Sequence, residues 1–88
     1  MKVTAELSLY PLTTDYEQSI IAFIKHLKSY DDLNVNTHAM STFVKGDIHK
    51  VMKAIAESMD HSAGAIGSSL VIKLINRDLP VEAGFLDF

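Results

Sequence analysis

At 88 residues, 48% of them hydrophobic and 22% charged, the chain has the composition of one globular domain, which excludes a multi-domain enzyme, a disordered segment and a collagen-like repeat. Eight Lys+Arg against eleven Asp+Glu leave a net charge of -3, with Arg77 the only arginine, an unfavourable balance for binding nucleic acid through its phosphates. Cysteine is absent, so disulfides, thiol nucleophiles and Cys-based zinc sites are excluded together.

The stretch Met1-Lys2-Val3-Thr4-Ala5-Glu6 carries charges where a signal peptide needs an apolar run, and no later segment approaches the ~18 apolar residues of a membrane span. The expectation is a cytoplasmic protein without a membrane partner. Residues 1–88 read as one domain, with 78–88 as a C-terminal tail.

Val3, Ala5, Leu7 and Leu9 alternate with Thr4, Glu6, Ser8 and Tyr10, predicting a half-buried strand that Pro11 ends. Thr14-x-x-Glu17 fits a capping box, and Ile20, Phe23, Ile24 and Leu27 recur at helical spacing, with Glu17, Gln18, Lys25 and Lys28 opposite. A helix over about 15–30 follows. Asp31-Asp32 breaks it, and alternation resumes over 33–38 with Leu33, Val35 and Thr37 turned inward. Ala39-Met40 connects to a third strand over 41–45, closed by Gly46. Asp47 caps a second helix whose apolar positions are Ile48, Val51, Met52, Ile55, Ala56 and Met59, with His49, Lys50, Lys53 and Glu57 on the solvent side. Gly64 or Gly67 supplies its C-cap, and a fourth strand runs over 69–75.

The order β-α-β-β-α-β predicts an α+β, ferredoxin-like sandwich. Two helices lie on one face of a four-stranded antiparallel sheet, and crossover handedness sets the strand order 4-1-3-2. The other face is left bare, and the fourth strand, Leu70-Val71-Ile72-Lys73-Leu74-Ile75, is apolar on both sides at a sheet edge. Self-association is the expectation. The alternative is a tail carrying Val81, Phe85, Leu86 and Phe88 that folds back over the sheet.

No catalytic constellation emerges. Ser/His/Asp spacing gives no triad, no glycine-rich loop precedes a helix, and Gly64-x-x-Gly67 follows a helix instead. His26, His38, His49 and His61 fall on four different elements or element ends without metal-ligand spacing, and all but His38 read as solvated. An acylphosphatase needs an arginine in the first loop, and an RNA-recognition module needs more than Phe43 on its third strand. No cofactor and no catalysis are expected, which leaves a small-molecule binder. Glu6, Ser8 and Tyr10 line the bare face, with His38 near them, where the competing reading is an ordinary solvated polar face.

Two segments, Ala5-Glu6-Leu7-Ser8-Leu9-Tyr10-Pro11-Leu12 and Thr37-His38-Ala39-Met40-Ser41-Thr42-Phe43-Val44-Lys45-Gly46, resemble the thiamine-binding YkoF-like family. That resemblance implies a ferredoxin-like fold and a binding role toward thiamine or its hydroxymethylpyrimidine part. It also implies homodimers or homotetramers, and ligand contacts at Glu6, Ser8, Tyr10, Ser41 and Thr42, with His38 beside them. The rival reading is an oligomeric structural or regulatory protein without such a ligand.

Overall fold

The computed structural model describes residues 1–62 and 67–80. Its elements are β1 (Lys2–Pro11), α1 (Tyr16–Lys28), β2 (Asn34–Thr37), β3 (Thr42–Asp47), α2 (Ile48–Ser62) and β4 (Ser68–Ile75). The strands pair antiparallel in the order β2-β3-β1-β4, the expected 4-1-3-2 read from the other edge. The fold is the ferredoxin-like sandwich. Among the described residues no helix is long and apolar enough to cross a membrane.

Strand alternation does what the sequence implies on the helix side. Val3, Ala5 and Leu7 of β1 and Val44 of β3 are buried against Phe23 and Leu27 of α1 and Val51, Ala54 and Ile55 of α2. Burial of this cluster is the main favourable term in folding.

The element boundaries differ from expectation for identifiable reasons. Asp15, not Thr14, sits at the N-cap of α1 and makes no side-chain cap bond, so the capping box does not form; Thr13 Oγ1 instead accepts the Asp15 N–H at 3.4 Å. At α2 the expected cap is present, with Asp47 Oδ2 accepting the His49 and Lys50 N–H groups at 3.1 and 3.3 Å.

The buried face of α2 is rotated from the one its large residues suggest. Met52 and Ala56 are exposed, whereas Ala54, Ser58 and Ser62 are buried. Small side chains let α2 approach α1 closely, and their hydroxyls are satisfied: Ser62 Oγ donates to the Ser58 carbonyl at 2.8 Å, and Ser58 Oγ lies 3.1 Å from His26 Nδ1. His26 is therefore not a solvated residue. Its ring stacks on His61 at 4.6 Å, bringing together two histidines that the sequence left apart. Beside them Tyr30 donates to Glu57 at 2.6 Å, a hydrogen bond that pushes the phenol pKa up to about 12.

β3 does not stop at Gly46 but runs on to Asp47, opposite Lys2. Gly46 has φ +155°, and a Cβ there would lie 2.6 Å from Leu33 Cδ2 and 3.4 Å from the Asp32 carbonyl oxygen. The glycine lets the α1–β2 connection lie directly on β3.

The face away from the helices is only partly bare. After β4 the chain turns back across it: Thr4 Oγ1 donates to the Arg77 carbonyl at 2.8 Å and accepts the Leu79 N–H at 3.0 Å, leaving Thr4 3% exposed. Lys45 Nζ donates to the Leu79 carbonyl at 2.8 Å and pairs with Asp78 at 2.9 Å. The expected cover by Val81, Phe85, Leu86 and Phe88, like the expected cap at Gly64, lies outside the described residues. Among the described residues the apolar side chains on both faces of β4 stay accessible, with Val71, Ile72, Leu74 and Ile75 between 38 and 55% exposed.

Two outcomes follow. Gly46→Ala forces Leu33 aside and places a side chain at a backbone angle that disfavours one, so stability should fall by about 1–2 kcal/mol. Thermal circular dichroism should then show a melting temperature lower by about 5–15 °C; an unchanged midpoint contradicts the close approach. The hydrogen bond from Lys45 holds the Asp78 carboxyl below the usual carboxylate range. A lowered folded-state value means that the clasp's contribution is complete above the ordinary aspartate pKa of about 3.9 and is lost as pH falls through the lower, folded-state value. The Leu79 amide resonance, followed by NMR on acidification, should titrate below about 3.9, and Lys45→Met should bring that midpoint back up toward it.

Candidate binding site between β1, α1 and the β2–β3 turn

The ladder between β1 and β3 ends at Leu7 opposite Thr42, while β1 continues beside β4 to Pro11 opposite Ser68. Past Thr42 the chain swings away through residues 38–41, a turn closed by a hydrogen bond from the His38 N–H to the Ser41 carbonyl at 2.8 Å. The gap left between the β1 extension and this turn is a cavity of about 200 Å³. Its floor is Leu7 and Leu9 with Phe23, Ile20 and Ile24 of α1, and its polar rim is Ser8, Tyr10, His38, Ser41 and Thr42. Thr37, Ala39 and Met40 complete the turn side, with Met40 90% exposed.

Five of the six residues nominated from the sequence thus share one cavity. Ser8 and Tyr10 come from the open face of β1, and the gap in the sheet lets them border the same space as the helix-side residues Leu7 and Leu9. Thr42 is buried at the start of β3, its Oγ1 3.4 Å from Thr37 Oγ1. The His38 ring sits edge-on to Phe43 at 5.1 Å.

Glu6 stands apart from this set. It is absent from the cavity wall and lies on the open face, paired in register with Phe43 and Lys73. Ser41 Oγ donates to Glu6 Oε2 at 3.0 Å, and Lys73 Nζ lies 3.5 Å from Glu6 Oε1. The carboxylate fixes the Ser41 proton, so the Ser41 oxygen keeps its lone pairs for a donor in the cavity.

Sequence reasoning missed the apolar half of the wall. Ile20 and Ile24 carry the same periodic signal as the core residues Phe23 and Leu27, yet they stay half-buried because the sheet beneath them is incomplete. The signal that could have found the gap is strand length: the alternating run from Val3 to Tyr10 is longer than any that fits between Ser41 and Gly46.

The profile of the YKOF-related family matches residues 2–71. The chain belongs to that family. The YKOF-related match runs from β1 into β4, so every residue of the cavity wall, and Glu6 behind it, lies inside it, whereas the Arg77–Leu79 clasp lies outside. Among solved structures, a hypothetical protein of Methanocaldococcus jannascii is 30% identical, with a TM-score of 0.76 over 88% of this chain and 81% of its own. A Streptococcus pneumoniae protein superposes with a TM-score of 0.80 over 90% of each chain at 18% identity. A candidate thiamine biosynthesis/salvage protein of Thermotoga maritima gives 0.78 at 17% identity, covering 93% of this chain and 92% of its own. At those last two identities the likeness is one of fold. No curated protein matches the chain.

Proposed function

We propose that this YKOF-related protein is a non-catalytic binder of a small heteroaromatic molecule, thiamine or its hydroxymethylpyrimidine part, held in the cavity between β1, α1 and the β2–β3 turn. The observation that carries this reading is the cavity itself: an apolar floor, a rim of hydroxyls, one imidazole and one phenol, and a volume of about 200 Å³. Such a mixture of apolar wall and few polar groups suits a small ligand. A dry cavity of ~150 Å³ accepts benzene, so this one has room for a single substituted ring and not for two linked rings. The pyrimidine belongs inside. A cationic thiazolium then stays at the mouth, over the exposed ring of Tyr10 and beside Met40. The thiamine connection of the Thermotoga maritima neighbour points the same way.

Self-association through β4 accompanies this reading. An edge strand with apolar side chains on both faces is a ready surface for a second copy of the chain, giving a homodimer or homotetramer. That same strand is what favours the rival reading, an oligomeric scaffold without a thiamine-like ligand.

Isothermal titration separates the two. Hydroxymethylpyrimidine and thiamine should both bind and compete, the thiazole alone should not, and no product should form on long incubation. Glu6→Gln, which keeps size but no longer commits the Ser41 proton to a charged acceptor, should weaken binding severalfold. Absence of heat with either ligand at millimolar concentration would leave the scaffold reading standing. For the assembly, light scattering at micromolar protein should give a mass above the 9.7 kDa of one chain, and Val71→Lys with Leu74→Lys, one on each face of β4, should reduce it to that value. A wild-type chain that already scatters as a single copy refutes the role of β4.

A further inference from the structure

In an antiparallel strand the N–H and C=O of one residue point to the same neighbour, and successive residues alternate between the two neighbours. Two hydrogen bonds set the phase of β1. The Ile48 N–H donates to the Met1 carbonyl at 3.0 Å on the β3 side, and the Leu12 N–H donates to the Gly67 carbonyl at 3.0 Å on the β4 side. Odd-numbered residues of β1 therefore address β3 and even-numbered residues address β4. Leu7, the last odd residue with a β3 partner, meets Thr42. Leu9, the next, meets none among the described residues, because the chain opposite it is the 38–41 turn closed on itself. Pro11, the odd residue after that, has no N–H to leave unpaired.

Leu9 is half-buried and lines the cavity, and the strand phase turns its peptide N–H and C=O to the side where β3 has given way to the closed turn. A peptide group in such a place is costly until something bonds to it. We infer that the main chain of Leu9 is the specificity-determining element of the site, reading the edge of a planar ring that carries an acceptor beside a donor. An aminopyrimidine has that edge: a ring nitrogen accepts from the Leu9 N–H while the neighbouring exocyclic amine donates to the Leu9 carbonyl. Ser41 Oγ, its proton committed to Glu6, stands nearby as an acceptor for a second amine hydrogen. The inference rests on the ligand reading proposed above and adds what selects among rings of equal size. The hydroxyl rim alone would tolerate many polar rings, whereas an adjacent donor and acceptor on one residue reject any ring that lacks the pattern.

The test uses isotope-labelled protein, hydroxymethylpyrimidine, and its analogue with a methyl group in place of the exocyclic amine. In the free protein the Leu9 amide should exchange with solvent faster than those of Ser8 and Tyr10, which are paired to β4. On adding hydroxymethylpyrimidine the Leu9 amide proton should move downfield and become protected, and the methyl analogue should bind at least tenfold more weakly. Binding that shifts Ser41 and Thr42 while leaving Leu9 unmoved, or equal affinity for the two compounds, overturns the inference and leaves the ligand reading intact. No binding by either compound overturns both. A Leu9 amide as protected as its neighbours in the free protein overturns the inference before any ligand is added.

Discussion

β1 is ten residues long and β3 is six, and their ladder stops at Leu7 and Thr42 while β1 goes on for four residues bound to β4 alone. From this unequal pairing the candidate site follows. Had β3 begun two residues earlier, Met40 would stand opposite Leu9, the sheet would close under Ile20 and Ile24, and no gap would exist to admit a ligand. Because it does not, side chains from both faces of β1 border one space, which an uninterrupted sheet forbids. The cost of unpaired main chain is thus localised where a ligand with its own donors and acceptors can offset it.

The same strand organises the open face. Thr4, two residues before Glu6 on that face, takes both hydrogen bonds that bring Arg77 and Leu79 across the sheet, and Lys45 of β3 adds a second hold through Leu79 and Asp78. The clasp covers the end of the open face remote from the cavity, leaving Glu6, Phe43 and Lys73 between the two. A carboxylate in that position has two calls on it. Lys73 competes for it from the side of β4, and Ser41 draws it toward the cavity rim. Glu6 thus links the open face to the cavity rim through the hydrogen bond it accepts from Ser41.

On the other face the two helices meet through small residues. Ala54, Ser58 and Ser62 permit the approach, and the polar cluster of His26, His61, Tyr30 and Glu57 closes its outer side with hydrogen bonds and ring contacts. Phe23, one turn from His26 along α1, is both a core residue and a wall of the cavity, so the setting of α1 against α2 also sets the depth of the site.

Much of this was written in the sequence, and the division has a physical basis. Period-two alternation in β1 and period-3.6 repeats in both helices report which side of an element is apolar, and with the handedness of crossovers they determined the element order, the sheet order and the polar row Glu6, Ser8 and Tyr10. Chain-local patterns also marked Asp47 as a helix cap. Where two elements approach each other is a pairwise matter that no single stretch encodes. Only the tertiary structure decided that Ala54, Ser58 and Ser62, rather than Met52 and Ala56, would be buried, that His26 would find Ser58 and His61, and that Thr4 would be buried by a segment more than seventy residues away in sequence. It also decided that Glu6 stands behind Ser41 instead of in the cavity. The end of the β1–β3 ladder belongs to this second class, because register is a relation between strands: the sequence determined that β1 is long, and the pairing of Leu7 with Thr42 decided which of its residues would be left facing open space.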